Sequence, residues 1–180
     1  MANAWEGRIS MVFTSRGTGF GTLTERTEAT ARFEIDSSYI IDAPEDTALY
    51  WKTTSGTLNW NVTATGGECT TSAGGSAPIR FGADQNPWGS IRMQPDRTGA
   101  LAYTVGIGPW PDATVPKYTF RCKSSPTDYM LPGILYSGGV WWDTDAGATV
   151  SADGTTIKGT FTRPHPTGEW RWVWQLTLVR

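Results

Sequence analysis

The stretch GEWRWVWQLTLVR, residues 168–180, constrains the fold more than any other. Side chains alternate between the two faces of a strand, so residues two apart share one. Trp170, Trp172, Trp174, Leu176 and Leu178 therefore line one face, while Glu169, Arg171, Gln175 and Thr177 line the other. Only Val173 and Val179 interrupt the polar side. This is the pattern of a half-buried antiparallel strand. Burying three indoles removes about 500 Å² from water, an upper bound of about 12 kcal/mol. Left exposed, the row would match the largest apolar patch of a typical monomer. The row is predicted to be core.

The same alternation recurs along the chain. WEGRISMVF puts Trp5, Gly7, Ile9, Met11 and Phe13 on one face, with Gly7 predicted to make room for a facing indole. ATARFEID sets Ala29, Ala31, Phe33 and Ile35 against Thr30, Arg32, Glu34 and Asp36. TLNWNVTAT and ALAYTVGI alternate in the same way, and PIRF, SIRM, KYTFRC and ILYSGGVWW are shorter candidates. Asp153-Gly154 predicts a two-residue type I′ hairpin turn that pairs Val150 with Ile157. RPHPTGE is expected to break pairing before the tryptophan strand, because proline cannot donate to a ladder. The last forty residues thus read as a three-stranded meander. One segment, DAPEDTALYWK, carries helix-start signals in Asp42, Pro44, Glu45 and Asp46.

Roughly ten short strands, each with one apolar face, must close into a barrel or stack as a sandwich. The expectation is an all-β protein, one domain over residues 1–180, built as an antiparallel β-barrel with a two-sheet β-sandwich as the alternative. Composition agrees. The 10 Trp and 21 Gly suit pleated surfaces and tight turns, and only 18% of residues are charged.

A formal net charge of -2 argues against a nucleic-acid partner and against polybasic membrane docking. No segment approaches the roughly 18 apolar residues of a transmembrane helix. Met1-Ala2-Asn3-Ala4 contains no signal peptide, although ANA fits the small-residue pattern that precedes a cleavage site. Cys69 and Cys122 are the two cysteines. A disulfide between them would close a loop of about 54 residues and contribute on the order of 4 kcal/mol. That bond goes with an exported location, secreted, cell-surface or periplasmic. The alternative is two buried thiols.

Other tryptophans fall outside alternating strands. Trp88 in ADQNPWGS and Trp110 in GPWPDATVP sit in turn-rich stretches, which run over protein surfaces. An exposed indole stacks on a sugar ring, and Asp84, Gln85, Asn86 and Asp112 would hydrogen-bond its hydroxyls; folding back as lids over a barrel end is the alternative. Of the adjacent Trp141 and Trp142 one faces outward, with Tyr129 and Tyr136 nearby in sequence.

Catalytic chemistry is sparse. The only histidine, His165, lies between Pro164 and Pro166 and reads as a surface imidazole. One histidine and two distant cysteines do not suit zinc. Asp143-x-Asp145-x-Gly147 begins a calcium-loop spacing whose later ligands are missing. Asn61-Val62-Thr63 matches a glycosylation sequon. No cofactor is expected. Three functions remain: an exported, non-enzymatic binding module using loop tryptophans on a glycan or protein partner; a barrel holding an apolar small molecule among its tryptophans; and a carboxylate-based glycoside hydrolase. The first is preferred, since aromatic surface candidates abound and catalytic constellations do not.

Overall fold

The computed structural model describes residues 4–17, 21–37, 48–78, 89–95, 101–107, 118–119, 121–122, 129–130 and 149–180. The strands are β1 (Ala4–Gly17), β2 (Gly21–Ile35), β3 (Leu49–Thr65), β4 (Cys69–Pro78), β5 (Gly89–Pro95) and β6 (Leu101–Ile107). They continue as β7 (Tyr118–Thr119), β8 (Arg121–Cys122), β9 (Tyr129–Met130), β10 (Thr149–Val150), β11 (Thr156–His165) and β12 (Gly168–Val179). Nearly all of the described chain is antiparallel sheet, as the alternation requires. No helix among the described residues is long and apolar enough to cross a membrane.

Ten strands form one branched sheet in the order β10-β11-β12-β1-β2-β3-β4-β8, with β5 and β6 leaving from β3; β7 and β9 form a separate pair. The branch lies within β3. One edge of β3 follows β2 from Trp51 to Thr65. The other takes β5 at Leu49–Lys52 and β4 at Thr57–Ala64. A register shift opposite Arg32 and Phe33 adds one residue to β3 between Thr53 and Ser55. Inward positions accordingly change parity, from Trp51 and Thr53 to Leu58, Val62 and Ala64.

The expected barrel is not confirmed. Among the described residues the sheet is not closed, and no ladder joins β10 to β6 or β8. The terminal strands do pair, but β1–β12 lies inside the sheet, not at a closing seam. Because β3 divides its second edge between two partners, the sheet forks where a barrel would need one continuous ribbon.

The inner face carries the core: Trp5, Ile9, Met11, Phe33, Leu58, Val62, Ile91, Tyr103, Ile157, Trp172, Trp174 and Leu176 pack as one cluster. Trp172 and Trp174 are each 1% exposed, so the expectation for the tryptophan row holds, with Trp170 only half-buried. Val173, on the polar side, is 42% exposed. Gly7 departs from expectation. A Cβ there would run into the Gln175 carbonyl oxygen and come within 2.7 Å of Leu176 Cα, so this glycine admits the backbone of β12 rather than an indole. The glycines that do seat indoles are Gly159, under Trp174, and Gly75, under Trp60; each is the cross-strand partner of its tryptophan.

Three local expectations are also corrected. The final meander β10–β11–β12 is present and Val150 does face Ile157. Its turn, however, closes from Gly154 N–H to the Ser151 carbonyl at 2.9 Å, leaving a four-residue loop, 152–155, with Gly154 at φ 69°. The Asp153 carboxylate accepts from Ser151 and Thr155 and is held below the usual carboxylate range. This side-chain capping replaces the tighter type I′ closure. RPHPTGE does not break pairing either, because Pro164 stays in the ladder opposite Glu169. Residues 49–52, expected to end a helix, pair with β5 instead; positions 42–47 lie outside the described residues.

Tyr103 of β6 ties one branch of the sheet to the other end of its path. Its hydroxyl donates to the Lys158 carbonyl at 2.9 Å and accepts from Trp174 Nε1 at 3.0 Å. Burial pushes the phenol up to about 12, partly offset by the Trp174 hydrogen bond. The unfolded chain releases this proton near pH 10 and the folded protein holds it longer. The associated stability is therefore complete below about pH 10 and is lost as pH rises through about 12. Unfolding free energy should fall across that window, and Tyr103→Phe should flatten the decline in alkaline urea titrations. Equal slopes for the two proteins would remove Tyr103 as the cause.

Candidate functional site

Register sorts inward side chains into rows that cross the sheet from strand to strand. One row runs Gly159, Trp174, Ile9, Ala29, Leu58 and is wholly apolar. The next runs Phe161, Trp172, Met11, Thr27, Trp60. Beyond it come Arg163, Trp170, Phe13, Glu25, Val62 and Ala73, then His165, Gly168, Ser15, Leu23, Ala64 and Thr71. Polarity rises row by row towards the end of the sheet where the β11–β12 and β1–β2 hairpins turn. That end is the candidate site.

Its floor is aromatic. Phe13 stacks on Trp170 with centroids 4.0 Å apart at 21°, and Trp170 stacks on Trp172 at 5.9 Å and 13°. Phe161 leans on Trp172 at 5.5 Å. The stack is graded in exposure: Trp172 is buried, Trp170 and Phe161 are half-buried, and His165 at the rim is exposed. Rigid β-strand neighbours fix each ring, so the half-buried indole is presented in one orientation.

The rim is polar and internally bonded. His165 stands edge-on to Phe13 at 5.3 Å and to Trp170 at 6.4 Å. Its Nδ1 accepts the Thr167 backbone N–H at 3.3 Å and lies 3.0 Å from Thr167 Oγ1, which in turn is 2.6 Å from Ser15 Oγ. A backbone N–H can only donate, so Nδ1 acts as acceptor and the neutral ring carries its proton on Nε2. Deeper in, Thr27 Oγ1 donates to Glu25 Oε1 at 3.5 Å, and that carboxylate is 3% exposed. Among the described residues no group of three His, Cys, Asp or Glu could hold a metal ion.

Comparison with protein-family models, curated proteins and solved structures finds no match for this chain. Function must be argued from the site alone.

Trp88, Trp110, Trp141, Trp142, Asp84, Gln85, Asn86 and Asp112 lie outside the described residues, as do Asp143, Asp145 and Tyr136. Tyr129 is in β9, opposite Thr119. Cys69 and Cys122 are direct partners in the β4–β8 ladder. His165 is indeed at the surface, but at the end of β11 rather than in a free turn. The candidate site gathers Phe13, Phe161, Trp170 and Arg163, of which only Trp170 entered a binding reading from sequence, as part of a tryptophan-lined interior. The available signal was position: Trp170 is the tryptophan of its row nearest a hairpin, where an inward face reaches solvent.

Proposed function

We propose that the protein is a non-enzymatic binding module that receives a sugar ring of a glycan on the aromatic end of its inner face. The observation that carries this reading is the half-buried Trp170, braced on one face by Phe13 beside a polar rim. An indole face matches the C–H face of a sugar, and a few fixed polar groups around an apolar floor are the usual composition of a small-ligand site. Trp88 and Trp110 belong to the same proposal as further contacts from loops.

Trp170→Ala should weaken retention on an immobilised-glycan affinity gel by about 10–100-fold, the range for truncating an aromatic anchor. Stability should fall by only about 1–2 kcal/mol, because the side chain is half-buried. Retention equal to wild type would sink the proposal, as would a wild-type protein that no glycan retards.

The exported location is part of this proposal and rests on the two cysteines. Facing residues in an antiparallel ladder have Cα atoms about 4.5–5.5 Å apart, within the range a disulfide spans. We therefore propose a Cys69–Cys122 bond that fastens β8 to β4. Peptide mapping under non-reducing conditions should recover the two cysteines in one linked fragment, and their alkylation in unreduced protein would count against export.

A further inference from the structure

We infer that the sugar held on Trp170 is acidic, a hexuronate, and that Arg163 selects it through its carboxylate. This rests on the proposal that Trp170 is a sugar platform. Arg163 is the direct β11 partner of Trp170 and shares the inner-face parity of Phe161 and His165. It is exposed. On the outer face Arg8 faces Glu28, Arg32 faces Glu6 and Glu34, and Lys52 faces Asp36, while Arg26, Arg171 and Lys158 stand beside no such partner in these pairs. Arg163 joins no ion pair among the described residues. Glu169 lies one position away from Trp170 and so on the opposite face. Glu25 is in the row of Arg163 but three strands away, roughly 14 Å by strand spacing, and buried. Among the described residues, the sign of charge presented beside the platform is thus set by one guanidinium.

Register places Arg163 beside the platform. Phe13 of β1 covers one face of Trp170, so a sugar stacks on the face turned towards β11. That neighbour is about 4.8 Å away and carries Arg163 at the facing position. The planar fork of guanidinium accepts a carboxylate through two parallel hydrogen bonds, which an ammonium cannot reproduce. His165 Nε2–H adds a second donor at the same rim.

Calorimetric titration with three probes tests this: an oligogalacturonate, a neutral galacto-oligosaccharide of equal length, and a sulfated form of the neutral chain. Wild type should bind the oligogalacturonate at least about tenfold more tightly than the neutral chain. Arg163→Gln should erase that preference by weakening the acidic chain to the level of the neutral one, with the melting temperature unchanged, and Arg163→Lys should restore only part of it. Equal wild-type affinity for acidic and neutral chains, or an Arg163→Gln protein that keeps the preference, overturns the role of Arg163 and leaves the glycan proposal standing. Tighter binding of the sulfated chain overturns the carboxylate assignment. No binding to any of the three overturns the glycan proposal and this inference together.

Discussion

Trp174→Ala should cost about 3–5 kcal/mol and lower the melting temperature by about 10 °C, at about 2–4 °C per kcal/mol for a chain of this size. The indole is 1% exposed and fills the space above Gly159, so its removal opens a cavity in the middle of the inner face. It also takes away the donor to Tyr103, the residue that binds β6 to β11. Urea denaturation should show a lower midpoint with little change in slope. Trp172→Ala belongs in the same range, because that side chain is equally buried. A loss below about 1 kcal/mol would mean that the interior collapses around the gap and that the row is not a tightly packed core.

The second large effect is expected at Gly7. Valine there would place Cβ against the Gln175 carbonyl and Leu176 Cα, which are backbone atoms that cannot rotate away. Relief requires β1 and β12 to separate within their ladder. Overpacking of side chains costs about 1–3 kcal/mol; a backbone collision should exceed that. Gly7→Val is therefore expected to unfold at least as readily as Trp174→Ala, and Gly17→Val, which meets nothing within 4 Å, should not. A Gly7→Val protein with wild-type stability would show that the two strands do not approach as closely as their register implies.

Much of the sheet was legible from alternation alone. Strands β1, β6 and β12 were visible because their inward positions are almost all apolar, and the β10–β11–β12 meander followed from a short turn between two such runs. The first half of β2 was hidden for the opposite reason. Its inward positions include Glu25 and Thr27, so the period-two signal fails where the strand enters the polar end of the face. The same residues mark the candidate site, which is why site and strand were missed together. Arg163 was obscured by its flanking Pro164, whose effect on pairing is confined to donors and does not stop a strand at a sheet margin. The fork at β3 could not be read at all. It depends on which strands share an edge, and a single inserted residue near Thr54 carries no compositional mark. Gly7, Gly75 and Gly159 look alike in sequence, yet one yields to backbone and two to indoles.

Pairing of β1 with β12 has a consequence for how the chain is made. Ser10 and Val173, joined by a hydrogen bond, are 163 residues apart. At translation rates of about 5–20 residues per second, β1 leaves the ribosome roughly 8–30 seconds before its partner exists. For that interval it can pair only with β2, and one edge of a strand bearing Trp5, Ile9 and Met11 stays open to other chains. Synthesis that stalls before Trp170 leaves the whole nascent sheet without its largest inward row. Such a product has an apolar face with nothing to cover it, and is a substrate for chaperones or proteases rather than a partly active protein.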